Sequence, residues 1–153
     1  MKRWTLLAAL LLPLWAVASF PLEATLAQMS KSADHILIGT VVGVDMVDAD
    51  GVIIANPAAG TGPGLNNVIR LQVRIDETLV TNASKVPAVL AIPLDPFMHF
   101  TLGQIKEAHS GEQKRQLLLL KGPSFQPILA GVFARPLSDQ SEALRLYAAS
   151  RRK

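Results

Sequence analysis

Apolar side chains in this sequence recur mostly at every second position or in short unbroken runs, which points to a sheet; spacing suited to helices is confined to brief stretches. Leu22, Leu26 and Met29 follow Pro21 at helical intervals and predict a short amphipathic helix ending near Ser32. From Ile36, side chains Ile36, Ile38, Thr40, Val42 and Val44 fall on one side and Leu37, Gly39, Val41, Gly43 and Asp45 on the other. This β-branched run predicts a strand partly covered on both faces, with Gly39 and Gly43 marking bends or bulges. The cleanest period of two lies at Ile69, Leu71, Val73 and Ile75, alternating with Arg70, Gln72, Arg74 and Asp76, so one face is core and the other meets water.

Between these strands, residues 46–66 carry Asp48, Asp50, Gly51, Asn56, Pro57, Gly60, Gly62, Pro63 and Gly64, with Val52-Ile53-Ile54 as the only apolar patch. The composition predicts a long loop or a ragged hairpin. Val86–Leu94 reads as a third strand that Pro87 and Pro93 confine to an edge or a short stretch. Thr101 suits the cap of one or two helical turns reaching His109, with Leu102, Ile105 and Ala108 inward. Leu117–Leu120 is too short for a helix and reads as a buried central strand. Phe125–Leu129 and Gly131–Phe133 are candidate short strands, and Ser138 can cap a closing helix whose Ala143, Leu144, Leu146 and Tyr147 dock on the sheet. The order predicts a mainly β, α+β fold: a small five-stranded, partly open barrel of the OB type, with N- and C-terminal helices packed on it. A small open α+β sheet is the rival.

Composition enters through the ends. Lys2 and Arg3, an apolar run from Trp4 to Val17 and the small residues Ala16 and Ala18 form a secretory signal, expected to be cut after Ala18. The apolar run is shorter than the ~20 residues a membrane span needs, so no stable span is expected once residues 1–18 are removed. A single domain over 19–153 then works in the periplasm or outside the cell. The absence of cysteine rules out both a disulfide scaffold and a lipid anchor at the cut. The formal charge of +3 falls to +1 when Lys2 and Arg3 leave, and Arg151, Arg152 and Lys153 at the tail outweigh that remainder. No face is therefore expected to track phosphates, and nucleic acid is not an expected partner.

Three stretches have a familiar form: Ala33–Val42 (ADHILIGTVV), Val73–Leu79 (VRIDETL) and Leu117–Lys121 (LLLLK). They resemble a widespread set of secreted bacterial domains that look like the OB-type barrel of the tissue-inhibitor and netrin-module class. The matching positions are mostly core residues, so the resemblance implies a fold and transfers no site. Those modules are disulfide-linked, and the N-terminal cysteine that such inhibitors present to a metal has no counterpart here.

Candidate chemistry is thin. Asp45, Asp48, Asp50 and Gly51 suggest oxygen ligands, but a calcium loop counted from Met46 would place Pro57 where an acid is required. His35, His99 and His109 stand in no zinc-binding spacing, and His35 reads as a structural residue opening a strand. Asp95 and His99 could pair as base and orienting carboxylate, yet no nucleophile motif accompanies them. Asn82-Ala83-Ser84 matches a glycosylation sequon in form and reads as a turn. No cofactor is implied.

The most unusual segment is Leu94–Phe100, where Phe97, Met98, His99 and Phe100 stand among loop-forming residues. It is expected either to form a binding lip or to plug one end of the barrel. With Asp48 and Asp50 of the 46–66 loop, these four residues are the candidate partner site. The reading that results is a non-enzymatic exported module binding a protein or peptide. A hydrolase or metal-dependent enzyme using Asp95 and His99 is one alternative, and an oligosaccharide- or nucleic-acid-binding barrel is the other.

Overall fold

A computed structural model describes residues 24–111 and 114–152; the leader, and Pro21 and Leu22 at the expected start of the first helix, lie outside the described residues. Helix α1 (Leu26–Ser32) begins where Thr25 and Gln28 satisfy each other's backbone: the Thr25 hydroxyl accepts from the Gln28 N–H and the Gln28 side chain accepts from the Thr25 N–H. Strands β1 (His35–Val47) and β2 (Val68–Val80) form a long antiparallel pair, and β3 (Val89–Pro93) follows on the outer side of β2. Helix α2 (Leu102–Ala108) carries the same reciprocal cap at Thr101 and Gln104. It turns Leu102 inward and leaves Ala108 exposed, because only seven residues are helical and the stripe ends at Ile105.

Strand β4 (Arg115–Lys121) returns against the first half of β1, pairing His35 with Leu120 through Thr40 with Arg115. Two-residue strands β5 (Gln126–Pro127) and β6 (Ala134–Arg135) both pair with β4. The described residues therefore form one six-stranded antiparallel sheet, ordered β3-β2-β1-β4-β5 with β6 also on β4, where five strands were expected. The additional strand arises because the stretch after β4 turns twice, at Gly122 and Gly131, both at positive φ. No ladder closes the ring, although β3 and β5 come within 8 Å between Cα atoms. A 3-10 turn, Leu137–Asp139, leads into α3 (Gln140–Ser150). Ser138 thus lies inside that turn and does not cap the helix as expected.

Two of the three register shifts between β1 and β2 fall at the glycines read as bends or bulges, between Ile38 and Gly39 and between Val41 and Gly43, and the third lies between Ile36 and Leu37. Val42 is left as the extra residue of β1, which breaks the strict alternation of faces. Val41 and Val44, which simple alternation puts on opposite sides, pack against the same interior cluster around Leu37, Leu71, Val73 and Leu118. The opposite face of β1 and β4, with Ile36, Ile38, Leu117 and Leu119, is covered by Met29 of α1 and Ala143 of α3. This explains why Leu117–Leu120 are buried without a gap: each face of β4 has its own core.

The Asp34-His35 segment ties β1 to the turn after β4. Asp34 accepts from the Gly122 N–H at 2.8 Å, and the His35 ring bonds Gly122 O at 3.0 Å through Nε2 and Thr81 Oγ1 at 2.8 Å through Nδ1. A carbonyl only accepts, so Nε2 is assigned the proton; the Thr81 hydroxyl, which accepts from the Ala83 N–H, is assigned as donor to Nδ1. The imidazole is fully buried and lies 4.3 Å from the Phe125 ring centre.

Candidate functional site

The segment after β1 is folded by its own side chains. Asp48 Oδ1 accepts from the N–H groups of Asp50 and Val52, each at 2.9 Å, and Gly51 supplies the positive φ of 80° that the turn needs. The chain then runs back along β1, with Ile54 N–H on Met46 O and Asp48 N–H on Val52 O. The returning segment makes one isolated bridge, Val47 with Ile53, and forms no strand before Val68, while Met46 and Val47 belong to β1 itself. Val52 and Ile53 remain 60% and 59% exposed.

The other half of the site is the turn after β3. Asp95 Oδ1 accepts from the Phe97 N–H at 2.9 Å, which lifts Phe97 out of the fold, 71% exposed. Thr61, itself buried, clamps the turn to the long loop: its hydroxyl donates to Met98 O at 2.7 Å and its N–H donates to Phe100 O at 2.9 Å. The His99 ring lies over Gly62, whose φ of 147° disfavours a larger residue and where a Cβ would stand 2.7 Å from Nδ1. Phe100 turns the other way and packs with Met46, Ile69 and Leu102. The four lip residues thus divide: Phe97 and Met98 face outward, His99 is exposed on the clamp, and Phe100 helps seal the interior.

Between the two halves lies an open groove of about 450 Å³. Ala49, Leu65, Val68, Pro96 and Phe97 supply its apolar walls, and Gly62, Gly64, Asn66 and Asn67 line the rest. Gly64, at φ 83°, and the hydrogen bond that the Leu65 N–H donates to Gly62 O turn Leu65 outward to 51% exposure. Asp48 and Asp50 flank Ala49 in sequence and Asp95 precedes Pro96, but no charged side chain lines the groove itself. Of the six candidate residues, Phe97 is the one that lines this groove. Leu65 and Val68 did not stand out in the sequence; the available signal was an isolated leucine following Gly62-Pro63-Gly64, where a polar residue is usual.

No hydrogen bond joins Asp95 to His99, and among the described residues no three His, Asp or Glu side chains converge as metal ligands. His109 sits exposed at the end of α2. No helix among the described residues is long and apolar enough to cross a membrane. Next to the groove, Asp45 takes both Arg70 nitrogens, Nε at 2.8 Å and Nη2 at 2.7 Å, and raises the Arg70 pKa above its ordinary value chiefly through that hydrogen bonding. Compared with known proteins, the chain matches no family model, no curated protein and no solved structure.

Proposed function

We propose that this chain is an exported, non-enzymatic binding module that holds a protein or peptide partner in the groove between the 46–66 loop and the Phe97 lip. The observation that carries this reading is the exposure of Phe97, Met98 and Leu65 on a surface that buried hydrogen bonds hold in shape. Exposing large apolar side chains costs about 1.5–3 kcal/mol each relative to burial, and a rigid apolar groove edged by polar groups is the usual form of a recognition surface. The secretory pattern at residues 1–18 supports a periplasmic or extracellular location. An OB-type barrel is the architecture we favour. It is supported by the helix between β3 and β4, the pairing of β1 with both β2 and β4, and the near approach of β3 to β5. By the same fold logic, we place the protein with secreted bacterial domains of that type.

The test is affinity capture from the extracytoplasmic fraction of the native host, comparing the mature protein with a Phe97→Ser, Leu65→Ser variant. Both positions are exposed, so the variant should keep the parent melting temperature and lose the captured partner. Equal capture by a folded variant would remove the groove from consideration. Phe100 is left intact because it is part of the interior.

A further inference from the structure

We infer that Met98 is a site of reversible oxidation by peroxide, and that its sulfoxide turns the lip from apolar to polar without disturbing the fold; the effect on binding rests on the groove being the partner site. Sulfur is scarce in this chain and unevenly exposed. There is no cysteine. Of the methionines among the described residues, Met29 and Met46 are 0% exposed, whereas Met98 is 44% exposed. Met29 is packed with Ile36 and Leu117, and Met46 with Ile69 and Leu102. An oxidant meeting the folded protein therefore reaches the Met98 thioether first, with no thiol to compete for it.

The backbone at Met98 is tied down, which confines the change to the side chain. Its carbonyl accepts from the Thr61 hydroxyl at 2.7 Å and from the Phe100 N–H at 3.1 Å, and its N–H donates to Asp95 O at 3.3 Å. The step is a two-electron oxidation of sulfur. A sulfur lone pair attacks one peroxide oxygen, the O–O bond breaks and an S–O bond forms. The proton of the transferred hydroxyl passes to the departing hydroxide, which leaves as water, so the peroxide is reduced as the sulfur is oxidised. The product carries a strong hydrogen-bond acceptor where a soft, apolar sulfur stood. That acceptor arises one residue along the turn from Phe97, which is 71% exposed and lines the groove. Water then competes better with an apolar ligand at the lip. Met46 supplies the contrast: a sulfoxide between Ile69 and Leu102 would bury an unpaired acceptor, and that end of the fold would loosen. A sulfoxide reductase working with thiol as reductant restores the thioether, and the chain offers that thiol no disulfide to attack.

The experiment treats the mature protein with hydrogen peroxide and maps the added oxygen by mass spectrometry of digests taken over time. Met98 should be oxidised at least about tenfold faster than Met29 or Met46, with the melting temperature unchanged. Equal rates at the three residues, or a lowered melting temperature once Met98 alone is oxidised, overturns the site. Nile red, a neutral apolar dye, then probes the lip. The oxidised protein should bind it at least about threefold more weakly than the parent. Treatment with the reductase should restore the parent affinity, and a Met98→Leu variant should bind the dye like the parent before and after peroxide. The Phe97→Ser, Leu65→Ser variant separates the two readings. Dye binding that this variant loses but oxidation leaves unchanged overturns the role of Met98 and leaves the groove standing. Equal dye binding by this variant, or none by the parent, overturns both.

Discussion

At Gly39, one added methyl group would stand 2.8 Å from Arg74 O and from Val73 Cγ1, in a strand paired on both sides. Neither backbone nor packed valine can retreat without moving a ladder, so Gly39→Ala should destabilise the fold by about 1–3 kcal/mol. At Gly43 the added carbon would lie 3.6 Å from Gln72 Cβ, ordinary contact distance, and Gly43→Ala should stay within about 0.5 kcal/mol. Urea denaturation of the two variants checks the contrast; a tolerated Gly39→Ala would mean the β1–β2 bulge is misplaced. The two glycines read alike in the sequence, because what separates them is the neighbour across the sheet. Ser30 makes the converse point: it is buried on α1, and its hydroxyl has no partner among the described residues. Ser30→Ala should raise stability, by up to about 1 kcal/mol, visible as a higher urea midpoint with an unchanged slope.

At the scale of elements, most strands could be read from alternation because one face of each is buried. Their exact faces could not, because Val42 is an extra residue in β1 that shifts the pattern and brings Val41 and Val44 to one cluster. Of the two short strands expected after β4, Phe125–Leu129 contains β5 and Gly131–Phe133 stops one residue before β6, because two-residue strands held on the neighbouring β4 leave no alternation to read. One polar cluster spans β1, β2 and β4. The Thr40 hydroxyl donates to Asp76 Oδ2 at 2.7 Å, Arg74 donates to Oδ1 at 2.9 Å, and Arg115 lies 3.6 Å away. Thr40 first, then Arg74, hold the Asp76 pKa below its ordinary value. A depressed folded-state pKa stabilises the fold above the unfolded value, about 3.9 for aspartate. That contribution is lost as pH falls through the lower folded value. Asp76→Asn should therefore be less stable than the parent at pH 7 and converge on it in strong acid, and Thr40→Val should cost about 1 kcal/mol at neutral pH. Parallel acid and neutral melts measure this, and a constant gap at all pH values would contradict it.

Across the whole molecule, the open question of architecture is a matter of one seam. Ile75 N–H bonds Ala88 O, and Leu94 N–H bonds Ile69 O. Antiparallel alternation then turns the Leu90 and Ile92 amides toward β2 and the Val89 and Ala91 amides toward the unpaired side facing β5. In an open sheet, hydrogen exchange should be slow at Leu90 and Ile92 and fast at Val89 and Ala91; protection at all four would indicate a ring closed between β3 and β5. The fold class was legible because hydrophobic alternation is a local signal. The site was legible only in its parts: Phe97 was recognisable as unusual, but the joining of its turn to the long loop depends on Thr61. No pattern along the chain encodes that bridge.

β1 is served unevenly by its neighbours. Its pairing with β4 stops at Thr40, and the returning strand at Ile53 and Ile54 reaches only Val47 and Met46. The backbone of Val41–Asp45 is left on that side with α2 beside it, held through Leu102 and Ile105 against Met46 and Val44. A seven-residue helix is thus the guard over the most β-prone exposed edge in the sheet. Loss of that helix's grip would uncover the Val41–Asp45 backbone, so Leu102→Ala should speed amide exchange there ahead of the rest of the sheet.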